Sequence, residues 1–362
     1  MLKIVHSRVG AAMAVSAIAA VLAFANGAMA QQNIKVAAVS GYPPQTSWVK
    51  VFKDVFMAEV DKSLATGGKY KIDWNEGFSG TVAKPRGEFD AVQTGLADIG
   101  MIVTAFHPDK VPLYSLSFMT PFVTSDLGLV ARTVDGLHAK FPQMGEAWGR
   151  YSQVVLAAAG AVDDYVIVSS KPVRAPEDLK GMKIIGAGLA LRWFEGTGGI
   201  GVQGNLSEYY NAVQTKLAEG AMVWAESAAT FKMYEVAPYY LEAGMGGTTS
   251  FALTVNRSFW NKQPPEVKKA FTEAAAKYRD GLATYSMDNA EASRKKFVAG
   301  KGEIIKLSDE NRKRWASQLP NIAKEWAEQM EKSKLPGKAM LTAYMDAMRA
   351  AKQPIARQWD KE

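Results

Sequence analysis

Apolar residues along this chain switch between two periods. Residues 34–39 form a short apolar-rich run stopped by Ser40-Gly41-Tyr42-Pro43-Pro44, and 70–75 form another, so both are expected to be strands. Between them, Trp48, Phe52, Val55 and Phe56 recur at helical spacing, predicting a helix over 45–64 that ends at Gly67-Gly68. A helix over 85–94 and a strand over 98–103 complete a βαβαβ order, which favours a mostly parallel sheet. The second half repeats the grammar, with strands at 162–169 and 182–185 and a helix near 189–196. After Pro264 strand signals nearly vanish. Residues 264–298, 309–333 and 337–351 read as charged amphipathic helices, the first long enough to cross from one half to the other.

One stretch occurs twice. Residues 89–102 read FDAVQTGLADIGMI and residues 210–223 read YNAVQTKLAEGAMV, with seven of fourteen positions identical. Each is the end of an amphipathic helix running into a short apolar strand, the helix-to-strand step of an α/β layer. Gln-Thr inside the match has no packing reason to recur, so the repeat implies two similar lobes. A cleft between such lobes is a natural place to close around a small ligand. No linker rich in Pro, Gly or Ser parts the halves, so short crossings and a shared hinge are expected.

The N-terminus bears on location. Lys3 and Arg8 precede an apolar, alanine-rich run over 9–24, and Ala28-Met29-Ala30 supplies the small residues needed before a cut at Gln31. This predicts a cleaved signal peptide over 1–30 and a mature chain exported to the periplasm. Cleavage leaves 41 basic against 36 acidic residues, a formal charge of +5. That scattered excess gives no basis for nucleic-acid binding. The chain has no cysteine, so disulfides are excluded, and 332 mature residues held by apolar burial alone divide naturally into two domains.

Catalytic and cofactor signatures are lacking. Gly196-Thr-Gly-Gly-Ile-Gly201 fits G-x-G-x-x-G, but it follows a helix-like segment where a dinucleotide fingerprint must follow a strand, and it reads as a helix-terminating turn. Only His107 and His138 remain after cleavage, so a zinc site of the usual type is excluded. G-x-S-x-G and H-E-x-x-H do not occur. No cofactor, metal or catalytic set is expected, and the expected assembly is a monomer.

Four segments carry a family resemblance. They are PEDLKGMKI at 176–184, NLSEYYNAVQ at 205–214, RGEFDAVQTGLADI at 86–99 and TVNRSFW at 254–260. In order and spacing the chain resembles the solute-binding proteins of tripartite ATP-independent periplasmic (TRAP) transporters over nearly its whole mature length. The resemblance implies an α/β, two-lobed periplasmic binding protein fold with a hinge, a long lobe-spanning helix and a helical C-terminal region. It implies no enzyme activity, but capture of a small organic solute for delivery to membrane-embedded TRAP permease subunits. Residues 31–157 with about 245–285 would form lobe I, and 158–244 with about 286–362 lobe II. The family's carboxylate-clamping arginine falls on Ile185, a second ligand-side arginine on Asp164, and an asparagine on Val223. An aliphatic chain in place of a guanidinium fork removes the main carboxylate grip.

The candidate site is read against that loss. Asp164, at the start of a strand, would accept hydrogen bonds from a ligand amine or hydroxyl. Trp224, at a strand end facing the crevice, would stack on it. Tyr42 is a weaker aromatic candidate. Lys84 and Arg86 open the first repeat's helix, where an anion is favoured, and Arg192 is a replacement for the missing clamp. Glu76, Thr104 and Ile185 complete the ligand-binding set. The favoured ligand therefore bears an amine, hydroxyl or aromatic group. The alternatives are a carboxylate held by Arg86, Lys84 or Arg192, and an exported enzyme or ligand-sensing protein on the same scaffold.

Overall fold

The computed structural model describes residues 31–162 and 164–362, so the signal-peptide assignment lies outside the described residues. The first apolar runs become β1 (Gln32–Val39) and β2 (Tyr70–Gly77), paired in parallel, with β3 (Ile99–Val103) parallel to β1 on its other side. The helix between β1 and β2 runs from Ser47 to Gly67, with a π-helical stretch at Phe52–Met57. Its Phe52 and Phe56 stack at 4.9 Å and pack on Tyr278 and Phe271 of the long helix.

The sheet is then completed by strands that the periodicity did not reveal. β10 (Thr248–Asn256) lies antiparallel between β3 and β4 (Gln153–Val162), giving the order β2-β1-β3-β10-β4. The expected mostly parallel sheet is therefore mixed. β4 leaves for the second lobe and β10 returns from it. The strand expected over 162–169 is two elements, because β4 ends at Val162 and β5 (Tyr165–Ser169) belongs to another sheet.

That second sheet has the order β11-β9-β5-β8-β6-β7. It contains β6 (Lys183–Gly186), β7 (Ile200–Gln203), β8 (Gly220–Trp224), β9 (Tyr239–Glu242) and β11 (Glu303–Lys306). β5 runs antiparallel to β8 and β9, while β6 is parallel to β7 and β8. β11 is a strand inside the stretch read as wholly helical. Residues Gly188–Phe194 form a 3-10 turn where a helix was expected, and Gly196 and Gly198, both at positive φ, turn the chain into β7.

The sequence repeat is a structural repeat. Helix Glu88–Thr94 feeds β3 and helix Tyr209–Gln214 feeds β8, and all five residues of each strand are buried. The long helix Pro265–Ala299 crosses both lobes, meeting Phe52 and Phe56 at one end and Tyr240 at the other through Phe297, ring to ring at 5.2 Å. The helix expected over 309–333 breaks at Leu319-Pro320, since proline cannot continue the backbone ladder. Asp309–Gln318 stays on the second lobe, where Trp315 Nε1 donates to the Trp193 carbonyl at 2.8 Å. Ile322–Lys332 lies on the first, where Trp326 Nε1 donates to the Pro112 carbonyl at 3.1 Å. Helix Gly337–Ala350, grouped with lobe II on sequence grounds, packs against helix Leu127–Lys140 of the first lobe. Among the described residues, no helix is long and apolar enough to cross a membrane.

Candidate functional site

The carboxyl ends of β1, β3, β6 and β8 meet where the two sheets face each other. After β1 the chain must turn sharply, and Gly41 is the residue that permits it. A Cβ there would stand 2.2 Å from the Pro85 nitrogen. Glu88, at the start of the first repeat's helix, pins this turn by accepting from the Gly41 N–H at 2.5 Å and from Ser40 Oγ at 3.2 Å. Burial pushes the Glu88 carboxyl up to about 8, against the downward pull of those donors.

The pinned turn carries Tyr42 into an aromatic seam between the lobes. Its ring meets Trp48 edge-on at 4.9 Å, and Trp48 stacks on Phe251 at 4.5 Å. Across the seam Trp224 lies 6.0 Å from Trp48 and 5.9 Å from Tyr165, which in turn meets Trp193 at 5.3 Å. Two polar contacts also bridge the lobes. Trp193 Nε1 donates to the Phe118 carbonyl at 2.6 Å, and the Tyr165 hydroxyl lies 3.4 Å from Ser250 Oγ. Rings at these separations favour offset and edge-to-face contact, which gives the seam a defined geometry as well as apolar burial.

Beside the seam is a cavity of about 810 Å³ with walls from both lobes. Arg86 and Phe106 line it from the first, and Leu191, Arg192, Glu195 and Gln203 from the second. The lobes approach closely at its edge. Gly188 sits at φ 53°, and a Cβ on it would stand 2.3 Å from the Ala105 carbonyl oxygen. The Arg86 guanidinium lies 4.3 Å over the Phe106 ring and makes no ion pair with any described residue. Arg192 is committed. It forms two bonds to Glu195, at 2.8 and 3.0 Å, and one to Glu325 at 2.6 Å. Of the three charged side chains that line the cavity, Arg86 is the one in no ion pair among the described residues.

Other candidates fall outside this grouping. Alternation along β5 sends Tyr165 to the seam, whereas Asp164 and Val166 face a separate cavity of about 540 Å³ with Glu242, Arg294 and Arg312. There the Asp164 carboxylate accepts from Ser125 Oγ at 2.9 Å and from the Gly246 N–H, and burial raises it to about 6. Asp164 therefore joins the two strand crossings near the hinge and does not share a wall with Ile185. Ile185 is buried and fills the space beside Gly204. Glu76 is exposed and paired with Lys53 at 2.6 Å, Lys84 is exposed near the Gly80 turn, and Thr104 donates to the Thr249 and Ser250 carbonyls. Trp224 keeps its expected place at the end of β8, with its Nε1–H on Glu226 Oε2 at 3.2 Å.

Several residues of the site carried no sequence signal. Phe106, Tyr165, Tyr209 and Phe251 look like ordinary core aromatics in the chain, and Glu88 gave no hint of burial. Burial also lowers His107 to about 4, where its ring packs 4.7 Å from Phe89. No group of three or more potential metal ligands occurs among the described residues.

Residues 39–330 match the family model for bacterial extracellular solute-binding proteins, family 7. The chain belongs to this family. It is 27% identical over 269 residues to a solute-binding protein of Albidiferax ferrireducens, covering 72% of this chain and 75% of the relative. It is 28% identical over 221 residues to the C4-dicarboxylate-binding periplasmic protein DctP of Rhodobacter capsulatus, covering 58% and 65% respectively. Among solved structures it is similar to a TRAP solute-binding protein from Rhodoferax ferrireducens in complex with copurified benzoate. That match has a TM-score of 0.79 at 18% identity and covers 88% of this chain and 98% of the other. A marine metagenome TRAP solute-binding protein in complex with 3-hydroxybenzoate matches with a TM-score of 0.77 at 18% identity, covering 88% and 99%. The fold expected from the sequence, a two-lobed TRAP solute-binding protein, is thus the one observed, and the family is one of binding proteins that act with a membrane permease.

Proposed function

We propose that this protein captures a small organic acid in the cavity between its lobes, with the acid's carboxylate against Arg86 and its body against Phe106 and the neighbouring apolar walls, for transfer to a TRAP permease. The observation that carries the reading is the charge balance of the cavity. Arg192 is committed to Glu195 and Glu325, leaving Arg86 as the cavity guanidinium in no ion pair among the described residues, already oriented by stacking on Phe106. Guanidinium is the side chain suited to a planar, two-point grip on a carboxylate. Arg86 would take over the task that Ile185 cannot perform. Asp164, which favoured an amine on sequence grounds, faces the other cavity. The complexes of related folds with benzoate and 3-hydroxybenzoate agree in ligand class.

The test is a thermal-shift screen of carboxylates and of matched amines and alcohols, followed by calorimetry. A carboxylate should bind and raise the melting temperature. Arg86→Ala should then weaken it roughly 10- to 100-fold, the value of a charge-assisted pair, while Arg192→Ala costs less. Tight binding of an amine with no carboxylate, unchanged by Arg86→Ala, would overturn the reading.

A further inference from the structure

Glu88 and Glu226 are both buried acids in no salt bridge among the described residues; Glu88 pins the turn after β1. Glu226 lies in the first turn of the short helix Ala225–Thr230, directly behind the seam. Its carboxylate forms no salt bridge with any described residue. It accepts instead from Thr230 Oγ at 3.0 Å, Ser227 Oγ at 3.3 Å and Trp224 Nε1 at 3.2 Å. A buried carboxylate in no salt bridge is costly, so three neutral donors must compensate for lost hydration. Two of them belong to its own helix and fix the carboxylate. The third is the indole of the seam.

Trp48 supplies a contrast. Its Nε1 is buried and has no partner among the described residues, so packing alone sets its ring. Trp224 touches Trp48 on one lobe and Tyr165 on the other, and a charged acceptor at one fixed point selects which edge of its indole faces the seam. We infer that Glu226 is a positioning residue: it holds the Trp224 indole in the orientation that packs the seam between the lobes, beside the cavity, and so sets how firmly the lobes close on a solute that neither residue touches. The effect on affinity rests on the solute-binding reading above; the effect on the indole does not.

Titration gives a readout that a merely space-filling role would not produce. Burial raises the Glu226 carboxyl above its ordinary value, against the three hydrogen bonds and Lys296 of the long helix, while Tyr285 is the other titratable group facing it from that helix. Acidification therefore protonates the acceptor of the indole N–H before it protonates an exposed glutamate. A protonated acid is the weaker acceptor.

The experiment is a proton–nitrogen correlation spectrum of the mature protein, with the Trp224 indole resonance assigned by its disappearance in Trp224→Phe. In the unaltered protein this resonance should shift as pH is lowered. In Glu226→Gln, which keeps an acceptor but cannot titrate, it should remain single and become insensitive to pH. In Glu226→Leu it should broaden or split. Calorimetry with benzoate, 3-hydroxybenzoate or whichever carboxylate the screen identifies should show about a tenfold loss in Glu226→Leu and near-complete recovery in Glu226→Gln. A Trp224 resonance unmoved by both Glu226→Leu and pH overturns the assignment. So does a moved resonance with unchanged affinity, which would leave Glu226 only structural. If no carboxylate binds at all, the organic-acid reading fails while the spectra still decide whether Glu226 holds the indole.

Discussion

The two copies of the helix-to-strand step share their turn hydrogen bonds residue for residue and differ in what they enclose. In the first, the Ala97 N–H returns to the Ala91 carbonyl at 3.0 Å and Thr94 Oγ donates to the Asp90 carbonyl at 2.8 Å. In the second, Ala218 returns to Ala212 at 3.1 Å and Thr215 donates to Asn211 at 2.8 Å. Even the exposed leucines coincide, Leu96 and Leu217. At the head of the helix the copies part. Glu88 occupies the position that Tyr209 occupies in the second lobe, and both are buried. The backbone step is therefore a scaffold that tolerates a carboxyl or a phenol at the same point, and the chemistry depends on what each must hold. Glu88 holds the turn that carries Tyr42, whereas Tyr209 is an enclosed ring close to Tyr42, Tyr165 and Arg86.

The largest effect should come from breaking the packing copy. Tyr209→Ala removes an enclosed ring and should destabilise the protein by about 3–5 kcal/mol in urea unfolding, the range for aromatic-to-alanine changes in cores. Tyr209→Phe should cost far less, because the pair differ by one hydroxyl. An equally large loss in Tyr209→Phe would show that the phenol, too, serves a polar contact.

The polar copy should reveal itself through pH. Folding raises the Glu88 carboxyl from 4.5 to about 8, so its neutral form is the one the fold favours. Stability linked to this group is full below about pH 4.5 and is lost as pH rises towards 8. Glu88→Gln keeps an acceptor for the Gly41 N–H and removes the ionisation. It should therefore be close to neutral at pH 5 and stabilising by about 2–4 kcal/mol at pH 8, seen as melting curves that diverge with pH. Parallel curves would mean that Glu88 is not the group being titrated.

What the sequence disclosed follows the same division between repeated scaffold and particular contact. The first helix and the long helix were legible because each has one buried and one wet face, which imposes a period, and β1 because its apolar run stops at a turn sequence. β10 was not, since all nine of its residues are buried and no alternation remains. Arg86, Tyr42 and Trp224 could be placed near the crevice from their positions at helix starts and strand ends. The facing of Asp164 could not, because a strand boundary mislaid by two or three residues leaves inward and outward positions undetermined. Nor could the neutralisation of Arg192, whose second partner Glu325 is 133 residues away and reaches it only because Pro320 redirects the chain onto the first lobe.

The smallest effect tests the scaffold itself. The turn after each helix needs one residue in the left-handed region, Gly95 at φ 78° in the first copy and Lys216 at φ 62° in the second. A lysine there carries a backbone cost that glycine avoids, offset partly by glycine's greater freedom in the unfolded chain. A Cβ built on Gly95 meets nothing nearer than Asn256 Nδ2 at 3.7 Å, so steric contact does not enter and the backbone term is isolated. Gly95→Ala should therefore destabilise by about 1 kcal/mol and Lys216→Gly should stabilise by about 0.5–1 kcal/mol, both as shifts of the urea midpoint at unchanged slope. The two shifts should have opposite signs because the copies share one backbone and differ in which residue occupies it. Destabilisation in both variants would show that Lys216 contributes more through its side chain than its backbone costs, and that the two turns are equivalent in shape but not in energy.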